Sequence, residues 1–210
     1  MIHEARIHRK DSRPPACGKY VLYWMQQAQR AEFNHALEYA IEQANARHLP
    51  LIVGFALTLF PEANRRHYQF MLEGLRETAQ RLAARGIGFC LRRGPPEEVI
   101  PELAKNAAQL VGDVGYLRVQ RQWRDAVAKR VACPFVLVET DVIVPLAQVS
   151  DHAEFAARTI RPKIRRQLDD FLHPLKPRRL AIPSVDLVKR SLSLDNPEGL
   201  CRLLGVDECV

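Results

Sequence analysis

Tyr20-Val21-Leu22-Tyr23-Trp24 is an unbroken apolar and aromatic stretch that follows the chain breaker Gly18 and predicts a buried strand. Apolar residues then recur at helical spacing over 33–44, and an uncharged run at 51–57 predicts a second strand, covered on both faces. A strand, a helix and a second strand in this order join parallel strands by a right-handed crossover. This βαβ unit decides the fold class of the chain.

The same alternation continues as far as residue 142. Three further strands are predicted, at 87–91, at 109–111, where the pattern is weak, and at 135–138. Helices between them are predicted to begin after Asn64, at Pro95-Pro96 and at Arg118. We therefore expect an α/β fold with a doubly wound, five-stranded parallel sheet covered by helices on both faces.

A different pattern follows residue 150. Asp151 and Glu154 have the spacing of a capping pair, and an apolar stripe from 160 to 172 predicts one further helix. Four prolines, at 174, 177, 183 and 197, then interrupt any regular pattern. The sequence thus predicts an α/β domain at 1–150, a C-terminal helix of that domain at 151–173 and a linker at 174–210, of which 174–196 is a connector rather than core.

Composition places the chain among ordinary globular proteins. Of 210 residues, 47% are hydrophobic and 26% charged, which excludes a disordered chain. The longest uncharged stretch, 49–61, is shorter than the roughly 18 to 20 residues of a membrane-spanning helix. The charged amino terminus lacks the apolar core of a signal peptide. We expect a cytoplasmic protein with no membrane partner.

The common catalytic and metal-binding motifs are missing from the sequence. The five cysteines, at 17, 90, 133, 201 and 209, include no C-x-x-C pair, and no histidine has the spacing of a metal ligand. The glycines form neither a dinucleotide fingerprint nor a phosphate-binding loop. We therefore expect no metal site, no disulfide framework and no catalytic residues within this chain.

A ligand site is nevertheless expected where the strand order reverses. In open parallel sheets, ligands bind beyond the carboxyl ends of the strands at that point, which the loops after the first and fourth predicted strands would flank. The candidate ligand-binding residues in these loops are Met25, Gln26, Gln29, Arg30, Asp113 and Tyr116. Three amides and an arginine after an aromatic strand end suit a planar ligand with polar edges. Alternatively, Gln29 and Arg30 cap and solvate the next helix.

Positive charge is concentrated in two segments. Residues 158–190 contain ten Lys and Arg and three Asp, a net +7 that equals the formal charge of the whole chain. The predicted helix at 118–131 carries Trp123 among basic residues, a mixture that also occurs at nucleic-acid contacts. Because its apolar residues form a core-facing stripe, its arginines, Arg124 included, are more simply interpreted as the solvated face.

Several strings along the chain resemble the class II DNA photolyases, which repair cyclobutane pyrimidine dimers. They are YWMQ at 23–26 with Gln29, Arg30, Asn34, Ala36 and Leu37 after it, RHYQFMLEGL at 66–75, PEEVIP at 96–101, LRV-x-RQW at 117–123, EFAARTIRPKI at 154–164 and LLGVDE at 203–208. The strings occur in the order of that family, and EFAARTIRPKI is the most specific of them. The resemblance covers essentially the whole chain and implies a Rossmann-like N-terminal domain.

The resemblance also implies what a full-length protein would do. Such photolyases continue into a helical domain that holds FAD and the lesion, and light-driven electron transfer from reduced FAD splits the dimer. This chain would be the N-terminal antenna or scaffold domain, with a deazaflavin or a methenyl-folate as the antenna and FAD only in the parent. Its partners would be the FAD-binding helical domain and, through the parent, damaged DNA. Residues 174–210 would link to that domain, and the chain alone would be inactive.

Some residues depart from the family pattern or leave their role open. The departures are Ala28, His35, Tyr116, Asp141 and Ala147, three of them in or near the expected crevice. Basic residues of the most specific string and its end are expected to contact the helical domain or DNA, or else only solvent: Arg158, Arg161, Lys163, Arg165 and Arg166. A stand-alone nucleotide- or pterin-binding module and a DNA-binding adaptor are the alternative functions.

Overall fold

The computed structural model describes residues 2–11, 13–14, 16–60 and 62–206. Cys209 and the end of the LLGVDE string, residues 207 and 208, lie outside the described residues. The described strands are β1 (Ile7–Arg9), β2 (Tyr20–Trp24), β3 (Leu51–Leu57), β4 (Gly88–Arg93), β5 (Ala107–Asp113) and β6 (Phe135–Val138). They form one sheet in the order β1-β6-β5-β2-β3-β4.

The doubly wound α/β fold is confirmed, with one correction to the strand count. Strands β2 to β6 are parallel to one another. Strand β1 pairs antiparallel with β6, and Ile7 lies opposite Val138. The described sheet therefore has six strands instead of the predicted five. The sequence pattern misses β1 because this edge strand has three residues, two of them polar and none fully buried.

Helices cover both faces of the sheet. They are α1 (His35–Ala46), α2 (Arg65–Ala84), α3 (Pro96–Ala104), α4 (Arg118–Arg130), α5 (Leu146–Val149), α6 (Ala157–Arg165), α7 (Leu168–Phe171) and α8 (Pro197–Leu204). Alternate residues of β2 enter opposite cores: Val21 and Tyr23 pack with α1, α2 and α8, whereas Leu22 and Trp24 pack with α3 and α4. This alternation produces the three-layer arrangement.

The centre of the sheet is more extensive than the sequence indicates. Strand β5 has seven fully buried residues where a weak three-residue strand is predicted, because it pairs with β2 on one side and β6 on the other. Gly18 precedes β2 where the chain crosses β5 closely. A β-carbon at Gly18 would lie 2.1 Å from the backbone nitrogen of Ala108, so only glycine fits there.

The C-terminal region differs from its prediction in two ways. The predicted capping pair of Asp151 and Glu154 is wrong: α6 begins after Ala156 without a side-chain cap, and a turn separates it from α7. The predicted connector also contributes to the core, since Leu180 and Leu194 are buried in the main cluster. The domain boundaries themselves stay predictions.

Residues 184–192 lie along the outer edge of β4. The Ser184 hydroxyl accepts a hydrogen bond from the Gly88 amide (2.8 Å) and donates one to the Leu51 carbonyl. The Leu91 amide donates to the Ser191 hydroxyl (2.9 Å), and the Leu91 carbonyl accepts from the Leu192 amide (2.9 Å). We call residues 184–192 the edge strap, because they occupy hydrogen-bonding groups that a further strand would use.

Two negative findings concern the residues that the structure describes. None of their helices is both long and apolar enough to cross a membrane. No group of three or more metal-ligating side chains comes together among them. The four cysteines within this part of the chain are free.

Candidate functional site

A cavity opens at the carboxyl edge of the sheet, beside the point where the strand order reverses. It has a volume of about 280 Å³ and lies beyond the ends of β2 and β3, between the first turns of α2, α3 and α4. The switch point predicted from the sequence is the junction of β2 with β5 and β3, and the cavity lies on its β3 side.

Aromatic side chains form most of the cavity wall. Strand ends supply Trp24 and Phe55, the loop after β3 supplies Phe60, and α2 and α4 supply Tyr68 and Trp123. The Tyr68 hydroxyl donates to the Thr58 carbonyl (3.0 Å) and accepts from the Phe60 amide (2.6 Å), so this ring holds the loop after β3 in place. A wall of this kind suits a flat ring system.

Amide side chains supply the polar part of the same wall. Gln29 donates to the backbone carbonyl of Gln26 (3.2 Å), and Gln120 donates to the Gln27 side chain, which links α4 to the loop after β2. The side-chain nitrogen and oxygen of Gln26 are both buried and have no hydrogen-bond partner. Buried polar atoms without partners are costly, so a group that offers this amide both a donor and an acceptor would stabilise it.

The cavity wall is uncharged apart from one histidine. None of the described residues that line it is Lys, Arg, Asp or Glu, and the ring of His67 is hydrogen-bonded to Asn64 through its Nδ1 atom. Phosphate or carboxylate groups would find no counter-ion inside it. The cavity is therefore suited to an uncharged group.

Only half of the predicted ligand-binding residues line the cavity. Met25, Gln26 and Gln29 do so, whereas Arg30, Asp113 and Tyr116 do not. The prediction that one crevice contains all six is corrected by the packing. The loop after β2 folds over the end of β5 and closes that side of the switch point.

Asp113 holds the loop after β2 in this closed position. Its carboxylate accepts hydrogen bonds from the backbone amides of Gln26 (3.1 Å), Gln27 (2.8 Å) and Ala28 (2.5 Å). Burial raises the pKa of this carboxyl from 3.8 to about 6, against the opposing effect of the three amides. Asp113 thus positions residues that line the cavity, and it does not line the cavity itself.

Arg30 and Tyr116 belong to a polar network at the ends of β5 and β6. The Arg30 guanidinium donates to the Thr140 carbonyl and to the Asp141 carboxylate, both at 3.2 Å. Burial and the neighbouring Glu139 carboxylate raise the pKa of the Tyr116 hydroxyl. Both side chains connect loops of the protein to one another, which leaves them no role in the cavity.

The structure corrects the interpretation of α4. Arg124, expected on the solvated face, is 7% exposed, and its Nη1 atom is buried without a partner. Burial lowers the pKa of its guanidinium, which Asp113 partly offsets. Trp123 lies one residue earlier and reaches the cavity. The apolar stripe of α4 predicts that Trp123 faces the interior of the protein, but it does not show whether the side chain packs in the core or lines a cavity.

The cavity residues that were not predicted from the sequence lie at strand ends and in the first turns of the helices that follow. Phe55 lies near the end of β3, and Tyr68 and Met71 lie in the first two turns of the helix that follows. In a parallel sheet, strand ends and the starts of the following helices share one edge. The position of the string at 66–75, at the start of the helix after β3, could therefore have predicted that its residues lie near the site.

The predicted contact residues of α6 separate into two groups. Lys163 donates to Glu154 and to the Ser150 hydroxyl (3.3 Å), and this ammonium lowers the pKa of Glu154 to about 2. The four arginines, Arg158, Arg161, Arg165 and Arg166, are exposed instead. Lys163 therefore has partners within the domain, and the prediction that the five residues contact the helical domain or DNA stays a prediction.

Sequence comparison identifies what this chain is similar to. A family model described as DNA photolyase matches residues 21–181. The deoxyribodipyrimidine photo-lyase of Methanothermobacter thermautotrophicus is 47% identical over 189 residues, which cover 89% of this chain and 42% of that protein. The proteins of the same name from Arabidopsis thaliana and Potorous tridactylus are 38% and 39% identical, over 72% and 74% of this chain and 32% and 30% of their own lengths.

Structural comparison supports the same fold. An archaeal photolyase from Sulfolobus tokodaii, solved with two FAD molecules and interpreted as implying a novel light-harvesting cofactor, superposes with a TM-score of 0.65 at 17% identity. The match covers 86% of this chain and 41% of that protein. The chain thus spans less than half the length of the relatives it matches.

Proposed function

This chain belongs to the DNA photolyase family, and we propose that it is the N-terminal antenna or scaffold domain of a class II photolyase specific for cyclobutane pyrimidine dimers. The strings of the sequence support class II, and the names of the relatives support the deoxyribodipyrimidine substrate. Repair by light-driven electron transfer from reduced FAD, contact with damaged DNA and a cytoplasmic location belong to the full-length protein in this proposal.

The observation that carries the antenna role in this proposal is the neutral aromatic cavity with its unpartnered amide. An antenna absorbs light and passes the excitation energy to the flavin, and it needs a rigid site that orients its ring. Trp24, Phe55 and Trp123 would enclose such a ring, and the Gln26 amide would bind a lactam edge through one donor and one acceptor. These residues bind and orient the ring, and they exclude water from its faces.

The lack of charge favours a deazaflavin ring over a methenyl-folate as the antenna, and over FAD as an occupant of this cavity. A methenyl-folate carries a glutamate tail and FAD carries a diphosphate, and both charged parts would have to remain outside the cavity. The uncharged tricyclic ring of a deazaflavin has the required lactam edge. We infer that it occupies the cavity with its substituent chain directed to solvent.

Titration of the purified chain tests this proposal. We expect 5-deazariboflavin to bind with a change in its fluorescence, and methenyl-folate and FAD to bind more weakly. Ala63→Trp places an indole in the cavity and should abolish binding, whereas Ala83→Trp, on the exposed side of α2, should not. Failure of all three probes to bind, or binding that survives Ala63→Trp, would contradict the assignment.

The isolated chain should not repair DNA. No catalytic constellation is present in its sequence, and FAD belongs to the part of the relatives outside the match in this proposal. Illumination of the chain with an oligonucleotide that contains a thymine dimer should leave the dimer intact. Light-dependent cleavage by the chain alone would contradict the proposal that catalysis requires the FAD-binding domain.

A further inference from the structure

Three arginines form one face of α6. At 100° per residue, Arg158, Arg161 and Arg165 fall within an arc of about 60° on the helix. The opposite side of the helix carries Ile160 and Ile164, which pack on the small cluster of Val144, Val149 and Phe171. We call Arg158, Arg161 and Arg165 the basic face.

The basic face has no anionic partner within the described residues. None of the three guanidinium groups makes an ion pair there, and the only aromatic contact is that of Arg158 over the Phe155 ring, 5.7 Å from its centroid. Like charges at these helical spacings repel one another. Helix α6 therefore holds a repulsive arrangement that an acidic surface would neutralise.

Apolar side chains exposed in the segments before and after α6 in the sequence indicate what kind of molecule carries that acidic surface. Between residues 143 and 172, four large apolar side chains are exposed: Ile143 (51%), Leu146 (43%), Phe155 (79%) and Leu172 (61%). A DNA backbone offers phosphates and no complement for aliphatic groups. Protein interfaces combine apolar contacts with arginine and are depleted in lysine, and the one lysine of α6 is paired internally.

We propose that the basic face docks onto an acidic, partly apolar surface of a second protein domain, the part of the photo-lyase relatives that lies beyond their match to this chain. This inference rests on the proposed function, because it takes the partner from the same family. The match covers 42% of the Methanothermobacter thermautotrophicus protein, so more than half of that protein lies outside it and is available to supply this surface. Phe155, whose ring lies against the Arg158 guanidinium, would supply an apolar contact beside the arginines.

A chimera tests the docking. This chain would replace the matching part of the Methanothermobacter thermautotrophicus photo-lyase, and thermal unfolding would be followed by calorimetry. We expect one cooperative transition in the unsubstituted chimera. The triple variant R158Q/R161Q/R165Q should split it or lower its midpoint by about 5 °C or more, because three charge-assisted contacts are lost. The matched control R66Q/R76Q/R202Q removes three other exposed arginines and should change the midpoint by less than about 2 °C.

The isolated chain gives a second, opposite readout. There the triple variant should leave the midpoint unchanged or raise it by about 1 to 2 °C, since it removes repulsion and no partner is present. Destabilisation in the chimera together with no loss in the isolated chain is a signature that a purely structural role would not produce. Equal destabilisation in both contexts would overturn the proposal.

Two other outcomes would also overturn it. One is an unsubstituted chimera that fails to unfold in a single transition. The other is salt-dependent binding of a DNA oligonucleotide to the isolated chain that R158Q/R161Q/R165Q abolishes and the control triple retains, which would make the face a nucleic-acid site. Chromophore titration of the isolated chain is a separate measurement. Its failure would remove the antenna assignment and leave the docking result unaffected.

Discussion

The two sides of the switch point at the carboxyl edge of the sheet differ in almost every physical property. On the β3 side, aromatic rings and amides surround an uncharged cavity with an unpartnered glutamine. On the β5 and β6 side, buried charges hold the loops together. There the 98% buried Arg6 donates to the carbonyls of Glu139 (3.2 Å), Val142 (2.8 Å) and Ile143, and Asp113 accepts from three backbone amides.

The difference teaches that conspicuous polarity in a loop does not identify a ligand site. Asp113 and Arg30 attract attention in the sequence because charged side chains follow strand ends, yet their partners are atoms of the protein itself. The open side is recognised by what is left unsatisfied, namely the Gln26 amide. The β5 and β6 side of the switch point holds the loop after β2 in place, and on the β3 side that loop forms part of the cavity wall.

Removal of the Asp113 carboxylate should destabilise the β5 and β6 side of the switch point, which we call the closed side. Asp113→Ala leaves three backbone amides without an acceptor, and we expect the free energy of unfolding to fall by about 3 to 5 kcal/mol. Urea denaturation at pH 7 measures it. Asp141→Ala is the control, since it removes one partly exposed ion pair and should cost less than about 1 kcal/mol. Equal losses in the two variants would contradict the role assigned to Asp113.

The same carboxyl should give the closed side a pH dependence. Because the folded pKa of about 6 exceeds the ordinary value of 3.8, the protonated form favours folding below pH 4, and that contribution is lost as the pH rises through 6. Relative to Asp113→Asn, the free energy of unfolding should decrease by about 2 to 2.5 kcal/mol between pH 4 and pH 7, because the carboxyl of the unfolded chain is already more than half ionised at pH 4. Parallel pH profiles for the two proteins, measured by urea denaturation, would show that Asp113 titrates normally.

A substitution in the open wall should affect binding more than stability. Trp123→Leu keeps an apolar side chain but removes the indole face, and we expect 5-deazariboflavin to bind about tenfold more weakly. Tyr116→Phe, on the closed side, should leave the dissociation constant unchanged. Fluorescence titration compares them. A larger effect from Tyr116→Phe than from Trp123→Leu would reverse the assignment of the two sides.

The smallest expected effect is a gain in stability. Gln26→Leu replaces a buried amide that has no partner, so the free energy of unfolding without ligand should rise by about 0.5 to 1 kcal/mol. The same variant should bind 5-deazariboflavin more weakly, because a lactam edge loses its complement. Denaturation and titration of one sample measure both effects. A loss of stability would mean that the amide already has a partner within the protein.

Most of the fold could be predicted because its central strands are apolar without interruption. The boundaries of β2, β3 and β6 agree with the sequence prediction residue by residue. Strand β5 was underestimated, since alanine and glycine have low strand propensity and its seven-residue length comes from pairing with two neighbours. Strand β1 was missed because an antiparallel edge strand of three residues has no periodicity to detect.

The candidate site could be predicted only in part. The switch-point rule located the edge of the sheet at which the cavity opens and selected three residues that line it, Met25, Gln26 and Gln29. It could not assign the cavity to one side of β2, because the path of the loop over Asp113 depends on hydrogen bonds between residues 26–28 and a residue more than 80 positions later. Arg124 was misplaced for a related reason, since helical periodicity does not reveal that a guanidinium is buried.

The edge strap has a consequence for the behaviour of the domain in concentrated solution. An open parallel sheet normally presents unpaired amides and carbonyls at its rim, and these invite other chains to add as extra strands. Here Ser184 and the backbone of residues 191 and 192 occupy the rim of β4, and the opposite rim is a strand of only three residues. The domain therefore offers no long template for polymerisation, and any shortened version ending before Ser184 would expose one.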